Sequence, residues 1–312
     1  MINVIQRHWL TTVRFDSPPP GNEAKVNTDA AVITEHQREH AHLNSAQAAE
    51  LDAFRQQKTG YINAQTVYCG TDCEISTRLQ VDPISFKIMD AAWENHSPPV
   101  AITNVPGMRG IEAYFNCGPA IKEALAGLGP FLRALFSETI RGIIQAETFL
   151  FKERGFASAS DYSKYWEKFY ANSCRYYSNL DKVSQSWDDY ACYMRSGNLF
   201  NRFKSYSVYA TPDFSYHVIA TFSDSFHELS IELDIEKNMV ITGAGGTLLR
   251  APDKICKEAA VFLQQLPGHT TTSLSKKQVA ALLGKGNGCV HIIDTVYDAL
   301  ASVGMAANRH AG

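Results

Sequence analysis

The clearest alternation of apolar and polar residues runs from 229 to 235, and it predicts a half-buried β-strand. Two helical patterns follow this strand. The first begins near Pro252, which suits the first turn of a helix. The second follows the glycine-rich stretch 284–288 and continues through Ile293 and Val296. The last hundred residues therefore predict a mostly antiparallel sheet backed by helices.

A similar pattern occurs earlier in the chain. Residues 68–82 place an acid ahead of an alternating strand, as residues 221–234 do. Residues 135–147 repeat the apolar helical pattern of residues 283–296. We interpret these matches as an internal duplication, while a coincidence of two similar α+β patterns is the alternative.

The predicted fold class is α+β, with two tandem units joined by an aromatic-rich helical insert. Each unit is expected to be a mostly antiparallel sheet backed by helices. The predicted divisions are an N-terminal arm with a polar helix at 1–60, a first unit at 61–150, the insert at 151–204, a second unit at 205–303 and a tail at 304–312. A polyproline stretch at 17–20 is typical of a surface arm.

The insert is rich in tyrosine and tryptophan. Its apolar helix stripe contains Tyr162, Trp166, Phe169 and Tyr170. Such a stripe usually packs in a core, and we favour this interpretation. Buried tyrosine hydroxyls need hydrogen-bond partners, however, and a lid over a small aromatic or amphipathic ligand would use them. Tyr162 and Tyr177 are therefore candidate substrate-binding residues.

Composition and charge narrow the class of protein. The chain has 312 residues, of which 45% are hydrophobic and 20% are charged, as in globular proteins of one large or two ordinary domains. A net charge of −3 without a basic face argues against a nucleic-acid partner. We recognise neither a signal peptide nor an apolar run of roughly 20 residues, so we expect no membrane partner and a cytoplasmic location. The seven cysteines should then be reduced thiols.

Aspartate, histidine and cysteine side chains lie at the ends of three predicted elements. Asp224 and His227 precede the alternating strand, and Cys256 lies in the first turn of a helix. Cys289 and His291 open the last helix. A helix N-terminus lowers a thiol pKa and favours thiolate chemistry or metal ligation. The alternative is that each cysteine packs like an alanine.

The two units differ in the residues of their last helical pattern. In the first unit, residues 140–142 read Ile-Arg-Gly where residues 289–291 read Cys-Val-His in the second. The first unit keeps Cys69, Asp72 and Cys117. We therefore expect the full constellation in the second unit, with the first as a structural or substrate-binding partner.

Three motifs succeed one another in the second unit: Asp-x-x-His at 224–227, Arg-x-Pro-x-x-x-Cys at 250–256 and Gly-Cys-x-His at 288–291. Their order resembles a bacterial domain family of unknown function that ends in Gly-Cys-x-His-Leu. Here Ile292 takes the place of the final leucine. The resemblance covers residues 205–303.

In fold, the same layout is similar to iron–sulfur scaffold proteins of the NifU/IscU type and to SufE-like sulfur acceptors. This similarity implies that both tandem units are NifU/SufE-like. Asp224, Cys256 and Cys289 match scaffold positions, whereas Phe222-Ser223 stand where the first scaffold cysteine would be. The missing cysteine weakens the case for cluster assembly and leaves a His/Cys pocket.

Two function classes follow. The first is an enzyme of the lyase or hydrolase type, whose small organic substrate could be aromatic. Acid–base chemistry would come from Asp224, His227 and His291, and Arg250 would contact the substrate. A divalent metal, zinc or iron, would be held by His227, Cys256 and Cys289. The alternative is a non-catalytic metal, iron–sulfur or sulfur carrier. The aromatic insert and the missing cysteine favour the enzyme, and a homodimer is one option for its assembly.

Two further motifs carry weaker signals. His36 and His40 are spaced for one helix face, as metal-binding pairs are, but no third zinc ligand lies nearby and we interpret them as a solvated face. The glycines at 243–246 suggest a dinucleotide-binding turn, but Leu248 occupies the place of its third glycine. We interpret that segment as a hairpin or bulge.

Overall fold

A computed structural model of the protein describes residues 1–16, 60–192 and 195–310. The predicted polar helix and the His36–His40 pair lie outside the described residues. The described strands are β1 (Ile2–Asp16), β2 (Tyr61–Gly70), β3 (Glu74–Val81), β4 (Ile88–Asn95), β5 (Ala101–Asn104), β6 (Asn198–Ala210), β7 (Tyr216–Asp224), β8 (Glu228–Ile235) and β9 (Ile241–Arg250).

Helices follow each group of strands. The α-helices are α1 (Gly118–Ala124), α2 (Pro130–Ala146), α3 (Ala159–Phe169), α4 (Asp188–Ala191), α5 (Lys254–Lys257), α6 (Lys276–Leu282) and α7 (Val290–His310). Short 3-10 helices occupy Pro106–Met108, Glu147–Phe149, Leu180–Lys182, Glu258–Gln265, Thr271–Ser273 and Lys285–Asn287. No helix among the described residues has the length and apolar character needed to cross a membrane.

The nine strands form one antiparallel sheet in the order β5-β4-β3-β2-β1-β6-β7-β8-β9. The α+β class is therefore correct, but the two predicted strand groups share a single sheet. Each group is a meander of four strands followed by helices. This common order agrees with a duplication without establishing one.

The predicted N-terminal arm is wrong for residues 2–16, because they form the central strand β1. Its inward positions include Ile5, Trp9 and Val13, which are buried. Arg7 and Thr11 occupy the same face of the strand. These two polar residues conceal the alternation that would otherwise have predicted a strand.

The two longest helices pack on the sheet side by side. Helix α2 contacts β1, β2, β3 and β6, and α7 contacts β1, β6, β7 and β8. The buried apolar residues of α7 belong to one cluster, and most of those of α2 belong to a second. The predicted tail is wrong as far as residue 310, because the buried Val303 and Ala306 continue the apolar stripe of α7.

The aromatic insert packs against the α2 side of the sheet. Tyr162 and Trp166 are buried in its apolar cluster, as the core interpretation of the stripe predicts. Phe169 departs from that interpretation, since 47% of it is exposed. The insert also ends earlier than predicted, because residues 198–204 already belong to β6.

Candidate functional site

The hairpin between β7 and β8 fixes an aspartate and a histidine next to each other. Asp224 Oδ1 accepts hydrogen bonds from the backbone nitrogens of Phe226, at 2.7 Å, and His227, at 2.6 Å. The Nδ1 atom of His227 lies 3.1 Å from the same oxygen. Arg250 Nη2 donates to the carbonyl oxygens of Asp224 and His227. The carboxylate of Asp224 and the guanidinium of Arg250 therefore both stabilise the turn.

A glycine-rich turn delivers the second histidine. Gly284 has φ of +86°, which a residue with a Cβ rarely adopts. At Gly288, a Cβ would overlap the carbonyl oxygen of Leu283. The tight turn ends at Cys289, whose carbonyl oxygen accepts from the backbone nitrogen of Ile293 at 3.0 Å as α7 begins.

These two turns bring one carboxylate, two imidazoles and a thiol together. His291 Nε2 lies 3.8 Å from Asp224 Oδ2. The rings of His227 and His291 have their centroids 3.9 Å apart and are inclined at 38°. On the other side of His291, its Nδ1 lies 3.8 Å from Cys289 Sγ. Asp224 and both histidines thus form a compact group, with Cys289 next to it.

Burial and neighbouring charge determine how this group ionises. Burial alone would raise the pKa of Asp224, but the charge and hydrogen bond of His227 outweigh it and hold that pKa well below its usual range. Burial and the nearby charge of His227 both lower the pKa of His291, against the opposite effect of Asp224. Near neutral pH, Asp224 is therefore ionised and His291 is neutral.

The two cysteines do not behave as their helix positions predict. Burial raises the pKa of Cys256 to about 11 and that of Cys289 to about 12. Hydrogen bonds from the backbone at the start of each helix act in the opposite direction and are outweighed. The expected lowering of the thiol pKa is therefore wrong, because the helix ends lie inside the protein. All seven cysteines are free thiols.

The predicted metal ligands are only partly together. Among the described residues, the group with ligand atoms close enough for one ion consists of Asp224, His227 and His291, all within 4.8 Å of one another. Cys256 and Cys289 do not belong to it, so the predicted set of His227 with these two cysteines is wrong as a group. Two imidazoles and one carboxylate suit zinc or iron(II).

The group opens into a cavity of about 490 Å³ between α2, the start of α7 and the aromatic insert. Four of the five predicted chemical residues line it: His227, Cys256, Cys289 and His291. Its aromatic wall consists of Tyr114, Phe115, Tyr162, Trp166, Tyr170, Tyr176, Tyr177 and Trp187. The candidate substrate residues Tyr162 and Tyr177 therefore lie at the cavity.

Arg250 is the exception among the candidate substrate residues. It is absent from the described residues that line the cavity, and its guanidinium holds the β7–β8 hairpin through two carbonyl oxygens. The cavity lining therefore gives no support to a role of Arg250 in substrate binding, which stays a prediction. Arg250 is the last residue of β9, and its side chain is directed toward the β7–β8 hairpin.

Four charged residues of the wall were missed in the sequence, and one of them is Arg175 of the insert. Arg141 and Asp294 come from α2 and α7, and Arg202 comes from β6. Arg141 belongs to the Ile-Arg-Gly segment of the first unit, which lacks the cysteine and histidine of residues 289–291. For Arg202 a signal exists, because Phe200 and Tyr206 place it on the buried face of an alternating strand.

Replacing Asp294 by asparagine should reduce stability in a pH-dependent way. Asp294 lies 2.7 Å from Lys276 Nζ and 3.4 Å from Arg141 Nη1, and these charges outweigh burial and lower its pKa. Its contribution is complete above the unfolded-state pKa of about 3.9 and is lost as pH falls through the lower folded value. We expect Asp294→Asn to lower the free energy of unfolding by about 1 to 2 kcal/mol at pH 7.

Urea unfolding at pH 7 and pH 3 measures this effect. The difference between wild type and Asp294→Asn should shrink at pH 3, where the carboxylate of the unfolded chain is protonated. Asp181→Asn, a change at an exposed carboxylate, is the control and should have little effect at either pH. An equal loss at both values would show that the ion pairs of Asp294 do not contribute as described.

Comparison with known proteins identifies a family that resembles part of the chain. A family model described as "Protein of unknown function (DUF2889)" matches residues 205–304. This stretch includes β7, β8, β9 and the larger part of α7, and with them Asp224, both histidines and Cys289. Searches of curated proteins and of solved structures find no match.

Proposed function

We propose that the protein is an enzyme that acts on a small aromatic organic substrate by acid–base chemistry of the lyase or hydrolase type. One observation carries this proposal: Asp224, His227 and His291 form a buried group at the wall of an aromatic cavity of about 490 Å³. Cavities of roughly 300 to 1,000 Å³ are usual for small-molecule sites. A histidine that is held by a carboxylate in such a cavity can act as a general base toward a bound substrate.

His227 is the general base in this proposal. Its Nδ1 faces the Asp224 carboxylate, so the ring proton is assigned to that nitrogen and the lone pair of Nε2 is left for the substrate. When Nε2 takes a proton, the ionised Asp224 stabilises the imidazolium. His291 stays neutral because burial, and after it the nearby charge of His227, lower its pKa. It can therefore offer hydrogen bonds to a substrate without competing for the proton.

A bound metal would change the role of His227, because a ring nitrogen that ligates an ion cannot also accept a proton. Asp224, His227 and His291 would hold zinc or iron(II). Such an ion supplies Lewis acidity and activates bound water. The carrier alternative is less well supported, because iron–sulfur clusters are held by thiolates. Burial raises the pKa of both Cys256 and Cys289, and neither joins the metal-spaced group.

The tandem-unit interpretation forms part of the proposal. The second unit would supply the histidines, and the first would supply Arg141 and part of the aromatic wall. Both units are proposed to have a NifU/SufE-like arrangement. Superposition of 61–150 on 205–303 tests this idea, and different strand orders after alignment would argue against it.

Turnover is the direct test of the enzyme proposal. Purified protein is incubated with a panel of aromatic esters, aromatic hydroxy acids and aryl compounds with a cleavable side chain, and products are followed by liquid chromatography with mass spectrometry. We expect protein-dependent product from at least one compound. Parallel samples with a chelator, and with added zinc or iron(II), show whether a metal takes part. Failure to convert any member, with or without metal, would contradict the proposal.

A further inference from the structure

The charged side chains of the cavity wall are predominantly positive. Three guanidinium groups line it, those of Arg141, Arg175 and Arg202. Asp294 is the one carboxylate among the described lining residues. Beside its aromatic wall, the cavity therefore carries an excess of cationic donors.

Arg202 has donor capacity that the protein leaves unused. The residue is 2% exposed, and its Nε forms an ion pair with Glu138 Oε1 at 2.6 Å. Its Nη2 has no hydrogen-bond partner among the described residues. A buried donor without an acceptor is unfavourable, so an acceptor arriving with a ligand would relieve it.

Arg202 also lies close to the proposed chemistry. Its Cζ is 4.5 Å from the ring centroid of Phe222, and that ring is 4.9 Å from the ring of His291. The guanidinium and the histidine thus contact the same phenyl ring. A group held by Arg202 would therefore lie near the reacting end of a small substrate.

Two neighbouring features add to the anion-binding potential. Both ion pairs of Arg141, to Glu138 and Asp294, involve its Nη1. The start of the 21-residue helix α7 also lines the cavity from Gly288 to His291. The first backbone N–H groups of a helix point outward and favour negative charge. Arg175 contributes less, because Glu258 and the carbonyl oxygen of Ile255 already engage it.

We infer that the ligand of this cavity is an aromatic carboxylic acid, with its carboxylate bound by Arg202 and Arg141 and its ring against the tyrosine and tryptophan wall. As a statement about the substrate, this inference rests on the proposed function. Planar guanidinium groups match the geometry of a carboxylate, and such charge-assisted hydrogen bonds are among the strong ones. A neutral amide of the same shape has no charge with which to form them.

Matched acids and amides test this inference without requiring turnover. The probes are benzoate, 4-hydroxycinnamate and biphenyl-4-carboxylate, each with its primary amide. Binding is followed by tryptophan fluorescence, because Trp166 and Trp187 line the cavity. We expect at least one acid to bind about tenfold or more tightly than its amide at pH 7.

Three variants test whether Arg202 and Arg141 cause the preference for acids over amides. Arg202→Gln and Arg141→Gln should each reduce the acid–amide difference to about threefold or less, since each removes one charged donor. Arg202→Lys retains the charge but not the planar guanidinium that can form two hydrogen bonds to one carboxylate, so it should keep part of the preference. Arg133→Gln is the control, because it removes a charge from α2 outside the cavity lining. Circular dichroism and thermal unfolding show whether each variant is folded.

The outcomes separate this inference from the proposed function. If no acid in the panel binds more tightly than its amide, including the case in which neither binds, the inference is wrong. The same holds if folded Arg141→Gln and Arg202→Lys both keep the full preference. Acid binding that depends on these arginines, with no turnover of any compound, would support the inference and contradict the enzyme proposal.

Discussion

The variants His227→Ala and His291→Ala should each lower kcat/KM by at least about 10²-fold with the fold preserved, since loss of a general base or of a hydrogen-bond donor to the transition state has effects of this size. His227 is held by Asp224 and faces the cavity, so its removal deletes the proposed base. His291 lies against both residues at the same wall, where we propose that it forms hydrogen bonds to the substrate. Steady-state kinetics on a compound that the turnover screen identifies measures both losses.

His217→Ala is a matched control for these variants. His217 belongs to β7, and its Nδ1 lies 2.8 Å from Asp234 Oδ1, so the chain contains a second histidine–aspartate pair outside the cavity lining. We expect His217→Ala to retain wild-type kinetics. Near-normal kcat/KM in folded His227→Ala and His291→Ala would rule out acid–base catalysis by this pair.

Glu138→Ala is expected to lower the free energy of unfolding by about 3 to 5 kcal/mol, the usual cost of breaking a buried ion pair from one side. The carboxylate lies 2.6 Å from Arg202 Nε, 3.2 Å from Lys204 Nζ and 3.1 Å from Arg141 Nη1. Burial would raise the pKa of Glu138, but these three cations outweigh it and lower that pKa. Its removal leaves Arg202 and Lys204 buried with fewer compensating charges.

Chemical denaturation of two variants measures this effect. Glu138→Ala is compared with Glu123→Ala, which removes an exposed carboxylate from α1 and should change stability by less than about 0.5 kcal/mol. Glu138→Gln keeps the shape without the charge and should fall between the two. A loss below about 1 kcal/mol in Glu138→Ala would show that Arg202 and Lys204 find other compensation.

The extent to which the sequence predicts the fold depends on how regular each local pattern is. Strand β8 was found because its inward positions are aliphatic and its outward positions are polar. Strand β1 was missed because Arg7 and Thr11 interrupt that pattern. Residues 243–246 form the middle of β9, where the sequence suggested a hairpin or bulge, since glycines weaken the strand signal. The pairing of β1 with β6 is a long-range contact that no local pattern predicts.

Most residues of the candidate site could be predicted from their type and from their position at the ends of helices and strands. Asp224, His227 and His291 come together as a group, and Cys256 and Cys289 reach the same cavity. The protonation of the thiols could not be inferred, because it depends on burial that only the folded chain shows. Arg141 and Arg202 were missed for a related reason, since each lies in the interior of an element far from the motifs in sequence.

Strand β1 lies at the centre of the sheet and pairs with β6, a strand that is far from it in the sequence. Residues 17–197 separate β1 from its partner β6, so this pairing has a very high contact order, which slows folding. At about 5 to 20 residues per second, β6 is synthesised roughly 10 to 40 s after β1. During that interval a sheet of β1 to β5 would present the far side of β1 as an open edge. Such an edge can pair with another chain, so a nascent protein of this topology would benefit from chaperone protection until β6 arrives.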